Sequence, residues 1–165
     1  MTTERRLSVR SGIGYDSHRF APGGPLTLGG VRIPSDVHLH GHSDGDAIAH
    51  AVTDALLGAA ALGDIGEMFA DTDAVNAGRD SIDMLRLAHE RLLANGWRAA
   101  QIDVVVIAES PKIAPQRDAM RDCVASALGI ERSDVSIKGK TNELMGFVGR
   151  GEGIACMATA TIVAT

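Results

Sequence analysis

Asp16 and His18 stand two residues apart in GYDSHR. In a strand, side chains i and i+2 point to one face, so this spacing sets a carboxylate beside an imidazole, two ligands of a transition-metal site. A third ligand must come from elsewhere, and His50 is the best candidate, about one turn into a helix that begins after the SDGD turn. Two histidines and one carboxylate leave the fourth position of a tetrahedral Zn²⁺ open, the arrangement of catalytic rather than structural zinc. Spacing alone leaves two other readings open. Asp16 and His18 can be a solvated strand face, and His50 a core histidine bonded to a backbone carbonyl.

The stretch HLHGHSDGD, residues 38–46, offers a competing local site, since His38, His40 and His42 share one face if extended. Its HGHSDG core is similar to the HxHxDH pattern of binuclear metallo-hydrolases. Gly45 stands where the last histidine belongs, which removes a ligand and argues against two metals. His38 and His40 then read as solvated loop residues. Asp46, four residues before His50 on the same helical face, is placed as a helix cap or as an acceptor for an imidazole N–H.

Phosphate chemistry is suggested by KGKTNELMGFVGRGEG, residues 138–153. Backbone N–H groups of a Gly-containing turn can surround phosphate oxygens, Thr141 adds a hydroxyl, and Lys138 or Lys140 adds charge. Glu143, acceptor only, suits a hard Mg²⁺ ion. No GxxxxGK[ST] is present, and the competing reading of this stretch is a β-hairpin with solvated charges. No GxSxG elbow occurs, and Cys123 and Cys156 lie in apolar patterns and read as core thiols. The nucleophile of any reaction is therefore water or part of the substrate.

The elements that must position these groups alternate in type. Periodicity predicts a strand over 7–20, short extended pieces at 26–28 and 31–33 around Gly29 and Gly30, and a loop through 38–46. A helix follows over 46–62, with Ser43, Asp44 or Asp46 as N-cap and Gly63 beyond its end, and its small residues suggest close packing. After a polar segment at 66–80, a helix over 81–96, a strand over 101–109, a helix over 116–129 introduced by Pro111 and Pro115, and strands at 133–139 and 153–164 complete the order. Three helices among strands in one short chain fit a two-layer α/β sandwich with helices on one face of a mixed sheet.

With 165 residues, 45% apolar and 22% charged, the chain reads as one domain, 1–165, with residues 1–8 a flexible N-terminal extension. A net charge of −5 argues against nucleic acid or an anionic membrane as the main partner. A phosphorylated substrate would need a local metal or cationic pocket. No apolar run approaches the roughly 20 residues of a membrane span, and the N-terminus lacks a signal peptide's apolar segment, so a soluble cytoplasmic location is expected.

Taken together, GYDSH, HSDGDAIAHAVTDALLGAAALGDIG, FADTD, ESPKIAP, KTNE and GFVGRGEGIAC closely resemble the 2-C-methyl-D-erythritol 2,4-cyclodiphosphate synthase family, the cyclising enzymes of the non-mevalonate isoprenoid pathway. The resemblance runs from about residue 9 to the C-terminus. It implies a two-layer α/β sandwich with a mixed four- to five-stranded sheet, assembled as a homotrimer with active sites between adjacent subunits.

By the same resemblance Asp16, His18 and His50 match the ligands of one Zn²⁺ per subunit, and Glu143 the residue that helps hold a second ion, Mg²⁺ or Mn²⁺, on the substrate phosphates. His42 and Thr141 match the pair that stabilises the transition state, and Asp16, Ser17, His18, His42 and Ser43 fall among the substrate contacts. Asp64, Ile65 and Gly66, with Phe69, Ala70, Asp71, Thr72 and Asp73, match segments that contact the methylerythritol portion. The run Ala108, Glu109, Ser110, Pro111, Lys112, Ile113 and Ala114 matches the cytidine pocket. Lys140, Thr141, Asn142 and Glu143 match the phosphate turn, and Phe147 and Arg150 further substrate contacts. Arg150, Glu152 and Tyr15 fall where some relatives line a central trimer cavity that holds an isoprenoid diphosphate. The chain departs from the family at His38 and His40, where apolar or small residues are usual, at Ala70, where proline is frequent, and in a phosphate turn poorer in threonine.

The implied reaction converts 4-diphosphocytidyl-2-C-methyl-D-erythritol 2-phosphate into the cyclic diphosphate and CMP, the substrate's own 2-phosphate attacking its β-phosphorus. That accounts for the missing nucleophile. Two other readings of the residues stay open: a metal-dependent phosphohydrolase, and a non-catalytic trimeric module that binds nucleotides or isoprenoid diphosphates.

Overall fold

Residues 8–70 and 72–165 are described by a computed structural model of the chain. The expected N-terminal extension therefore lies outside the described residues except for Ser8, whose carbonyl accepts a hydrogen bond from the Ala164 N–H at 3.0 Å. In chain order the elements are β1 (Val9–Pro22), β2 (Leu26–Leu28), β3 (Val31–Ile33), β4 (Val37–Leu39), α1 (Ala47–Ala60), α2 (Ile65–Met68), α3 (Ser81–Ala94), β5 (Trp97–Ile107), α4 (Arg117–Leu128), β6 (Val135–Lys140), α5 (Gly146–Gly149) and β7 (Gly153–Ala164).

Five strands form a mixed sheet in the order β4-β1-β7-β5-β6, and β2 pairs with β3 in a small sheet of its own. All neighbours in the large sheet are antiparallel except β5 and β6. The alternation of β1 decides which face carries the site. Gly12, Gly14, Asp16 and His18 look toward α1, while Ile13 and Tyr15 point the other way and are 65% and 54% exposed. Facing side chains Ile102, Val104, Val106, Ile154, Ala158 and Ile162 are buried with Leu56, Leu57, Leu85 and Leu92 of the helices, giving one core between sheet and helical layer.

Close approach of α1 to β1 depends on two glycines. A Cβ on Gly14 would lie 1.9 Å from the Ala51 carbonyl oxygen, and one on Gly12 2.1 Å from that of Ala55. The small residues noted in the sequence thus let backbone meet backbone, and this sets the depth at which α1 delivers His50. Asp46 fixes the other coordinate, the start of the helix. Its wholly buried carboxylate accepts from Ile48 and Ala49 N–H at 3.1 Å each, and from Gly29 and Gly30 N–H at 2.8 and 2.7 Å. One side chain therefore caps α1 and ties it to the β2–β3 turn. Burial pushes its pKa up, against the pull of those N–H groups.

Of the three N-caps expected for α1, Asp46 is the one observed, and of its two expected roles the cap holds, its carboxylate serving backbone N–H groups rather than an imidazole. Other sequence expectations need correction. The helix stops at Ala61, left-handed at φ 57°, before Gly63 is reached. His38 belongs to β4 rather than to a loop, with Nδ1 2.7 Å from the Gly23 carbonyl. Strand β5 begins at Trp97, ahead of a register shift between Ala99 and Gln101. Residues 138–153 are not a hairpin: β5 lies between β6 and β7, and the connection holds the short helix α5. Helices α2 and α5, four residues each, were not expected, because one turn carries no periodic signal. Cys156 is buried, which pushes its thiol pKa well up, whereas Cys123 is only partly so. Among the described residues no helix is long and apolar enough to cross a membrane.

Candidate functional site

Asp16 and His18 reach the site from β1, and His50 from the first turns of α1. The three side chains converge: His18 Nε2 is 2.8 Å and His50 Nδ1 3.2 Å from Asp16 Oδ2, and the two nitrogens are 3.1 Å apart. Zinc bound at about 2.0–2.1 Å to four tetrahedral ligands spaces them about 3.3 Å apart, so this triangle fits a divalent ion with little movement. Asp16, His18 and His50 form the one such cluster of His, Cys, Asp or Glu among the described residues. Asp16 and His18 are partly shielded rather than a fully solvated strand face, and His50 meets a carboxylate rather than a backbone carbonyl.

Outer contacts aim the imidazoles. His18 Nδ1 lies 2.8 Å from the His40 carbonyl, which can only accept, so Nδ1 carries the proton and Nε2 turns inward. His40 thus contributes, through its backbone rather than its ring. Gly41 leaves the space this needs, since a Cβ there would come within 2.9 Å of His18 Cε1. His50 Nε2 lies 2.9 Å from Ser43 Oγ and 2.8 Å from Ser81 Oγ. Sequence reasoning did not single out Ser81, which opens α3 more than thirty residues away from His50 in the chain.

The charges interlock. Burial pulls the Asp16 pKa up, but the imidazoles of His18 and His50 beside it override burial and hold the carboxyl down at about 2. Burial works against a charged His18, yet the bond to Asp16 outweighs it and raises its pKa above 6.5.

An open cavity of about 320 Å³ adjoins the triad, and His18, His42, Ser43, Ile65, Gly66 and Phe69 are among its walls. His42, exposed, is part of its wall. Asp64 caps α2 by accepting from Glu67 N–H at 2.8 Å, and Ile65 N–H donates to Asp54 at 2.8 Å, so α2 is anchored to α1. Phe69 is buried with the Arg79 guanidinium 5.5 Å above its ring. The Ala70 carbonyl accepts from Asn76, Asp73 caps the turn at Ala74–Asn76, and Thr72 is exposed. Asp71 lies outside the described residues. Ser17, alternating with Asp16 and His18, is exposed on the other face of β1 and is not brought to the triad.

The second group of expected residues assembles at the far side of the sheet, around β5 and β6. Ala108, Pro111, Lys112, Ile113 and Ala114 enclose a cavity of about 160 Å³ with Lys140 and Thr141, and Ser110 is exposed beside it. Glu109 does not line that cavity. Its Oε1 accepts from the N–H groups of Asn142 at 3.0 Å and Leu144 at 3.2 Å, clamping the turn in which Glu143 and Leu144 adopt φ of 51° and 61°. Thr141 Oγ1 donates to Glu143 Oε1 at 3.1 Å. Lys138 is occupied by Asp103 at 2.6 Å, which leaves Lys140 as the lysine of this turn that faces the cavity. Phe147 is 39% exposed, and Arg150 pairs with Glu152 at 2.6 Å.

Fold and site together define a two-layer α/β protein with an Asp-His-His centre suited to a divalent metal, a cavity beside it, and a second pocket two strands away. The chain belongs to the YgbB family, whose signature matches residues 9–163. The 2-C-methyl-D-erythritol 2,4-cyclodiphosphate synthase of Gemmatimonas aurantiaca is 63% identical over 158 residues, which cover 96% of this chain and 95% of that protein. Among solved structures, the bifunctional IspDF of Campylobacter jejuni matches with a TM-score of 0.93 at 38% identity, over 96% of this chain and 43% of that one. The Plasmodium falciparum IspF–CDP complex matches with a TM-score of 0.83 at 34% identity, over 96% and 97% of the two chains.

Proposed function

We propose that this chain is the metal-dependent lyase that cyclises 4-diphosphocytidyl-2-C-methyl-D-erythritol 2-phosphate to 2-C-methyl-D-erythritol 2,4-cyclodiphosphate and releases CMP. The observation that carries the reading is the convergence of Asp16, His18 and His50 within 3.2 Å beside an open cavity. It occurs in a chain 63% identical to a curated synthase of that name. In the reaction an oxygen of the 2-phosphate forms a bond to the β-phosphorus, and the bond from that phosphorus to the oxygen bridging the α-phosphate breaks, so CMP departs with the bridging oxygen. No water is consumed. Phosphate oxygens are already ionised near neutral pH, so no strong protein base is required.

Asp16, His18 and His50 would hold a zinc ion, and Glu143 would share an Mg²⁺ or Mn²⁺ ion with the diphosphate; when bound, both supply Lewis-acid neutralisation of the phosphate charge. His42, exposed on the cavity wall, and Thr141, its hydroxyl turned from Glu143 to the substrate, donate hydrogen bonds to oxygens that gain charge as the new bond forms. The α2 segment and Phe69 receive the methylerythritol portion, while the 108–114 loop and Lys140 receive cytidine and the phosphates. These parts hold the attacking oxygen in line with the leaving group.

The metal half lies on β1 and the nucleotide half on β5 and β6, with β7 between them. That separation, together with the exposed apolar Val9, Ile13, Tyr15 and Met157, supports a homotrimer in which one subunit's triad works with a neighbour's nucleotide pocket. Phosphorus NMR of the protein with substrate, zinc and Mg²⁺ tests the reaction: CMP and the cyclic diphosphate should appear in equal amounts. A linear phosphate in place of the cyclic product would overturn it.

A further inference from the structure

His50 turns Nδ1 toward Asp16 and His18, while its other ring nitrogen is met by Ser81 Oγ at 2.8 Å. We propose that Ser81, held by Asp44, is a positioning residue that fixes His50 with its proton on Nε2 and its Nδ1 lone pair facing the metal site. The inference rests on the metal-binding reading of the triad.

Proton bookkeeping supports it. Ser81 is wholly buried and its hydroxyl has one proton to give. Asp44 Oδ1 is hydrogen-bonded to that hydroxyl, and Asp44 Oδ2 accepts the Ser81 backbone N–H at 3.2 Å. A carboxylate only accepts, so the serine proton points to Asp44. The serine oxygen then offers only lone pairs to His50, and Nε2 must be the nitrogen that donates. The helix terminus does not need this hydroxyl, because Asp80 already caps α3 by accepting from Ile82 N–H at 2.8 Å and Asp83 N–H at 3.3 Å. Ser43 Oγ also lies within 2.9 Å of Nε2, but it sits in the wall of the cavity and has no carboxylate behind it. Ser81 stands on a helix and is held by Asp44 at two atoms. Such a carboxylate–hydroxyl–imidazole chain locks the ring and raises the basicity of the nitrogen that faces the metal.

The test compares the full-length wild type with Ser81→Ala, Asp44→Asn and the double variant, using Zn²⁺ in competition with a chromophoric chelator. Ser81→Ala should weaken Zn²⁺ binding about 10- to 100-fold. Because the two residues act in series, the double variant should bind about as weakly as Ser81→Ala alone. Nitrogen-proton NMR should show the His50 Nε2–H protected from exchange in the zinc-loaded wild type and exchanging in Ser81→Ala, a change that loss of packing alone would not produce. If the wild type binds no zinc, the metal reading and this proposal fall together. If the wild type binds zinc and Ser81→Ala binds it equally well, or keeps a protected Nε2–H, only the positioning role is overturned. Should Ser81→Ala not fold, Asp44→Asn decides: unchanged Zn²⁺ affinity contradicts the proposal.

Discussion

Asp16 and His18 titrate against each other, and their shifted pKa values set how the site responds to pH. Asp16 is lowered to about 2 from an ordinary 3.8, so its contribution to stability is present above 3.8 and lost as pH falls through 2. His18 is raised above 6.5, so its contribution is complete below 6.5 and lost as pH rises through the raised value. In the metal-free protein the pair therefore stabilises the fold most between 3.8 and 6.5. Metal binding runs the other way, because the cation must displace the His18 proton. Zn²⁺ affinity, measured by chelator competition, should rise between about pH 6 and about pH 8 while thermal stability of the metal-free protein loses the pair's contribution. An affinity that stays level across that interval would mean that His18 is not a ligand.

At the scale of elements, the site is a meeting of β1 and α1, and the glycines of β1 control the distance between them. Gly14→Ala would force a Cβ to within 1.9 Å of the carbonyl of Ala51, the residue next to His50, with no flexible side chain to yield. Overpacking of this kind costs about 1–3 kcal/mol, and by displacing α1 it should weaken Zn²⁺ binding as well. Gly58→Ala is the control: an added Cβ meets only Ile13 O at 4.0 Å, and better helix propensity should add about 0.5–1 kcal/mol. Denaturant unfolding distinguishes the pair, and equal effects from both substitutions would show that helix propensity, not the close approach, decides. This meeting was largely readable from residues, because Asp16 and His18 share a strand period and DAIAHAVTDALLGAAAL has a helical one. What escaped carries no period. The His40 contribution is a backbone carbonyl, Ser81 is a serine at a helix start like many others, and Glu109 looks like a pocket residue but clamps a turn. The competing hairpin reading of 138–153 failed for a topological reason: two strands consecutive in sequence are separated in the sheet by β5, which pairs in parallel with β6.

For the molecule as a whole, one sheet carries the triad and the pocket of the 108–114 loop on different strands. The triad and its cavity lie at β1, the turn clamped by Glu109 lies at the end of β6, and β7 and β5 separate them. In the proposed reaction one subunit's triad and a neighbour's nucleotide pocket bring a phosphate and a diphosphate of one molecule together, so that substrate, not water, attacks. Turnover in ¹⁸O-labelled water tests it most directly. CMP and the cyclic diphosphate should form with no label in either product; ¹⁸O in the released CMP or in a linear phosphate would show that water attacks instead.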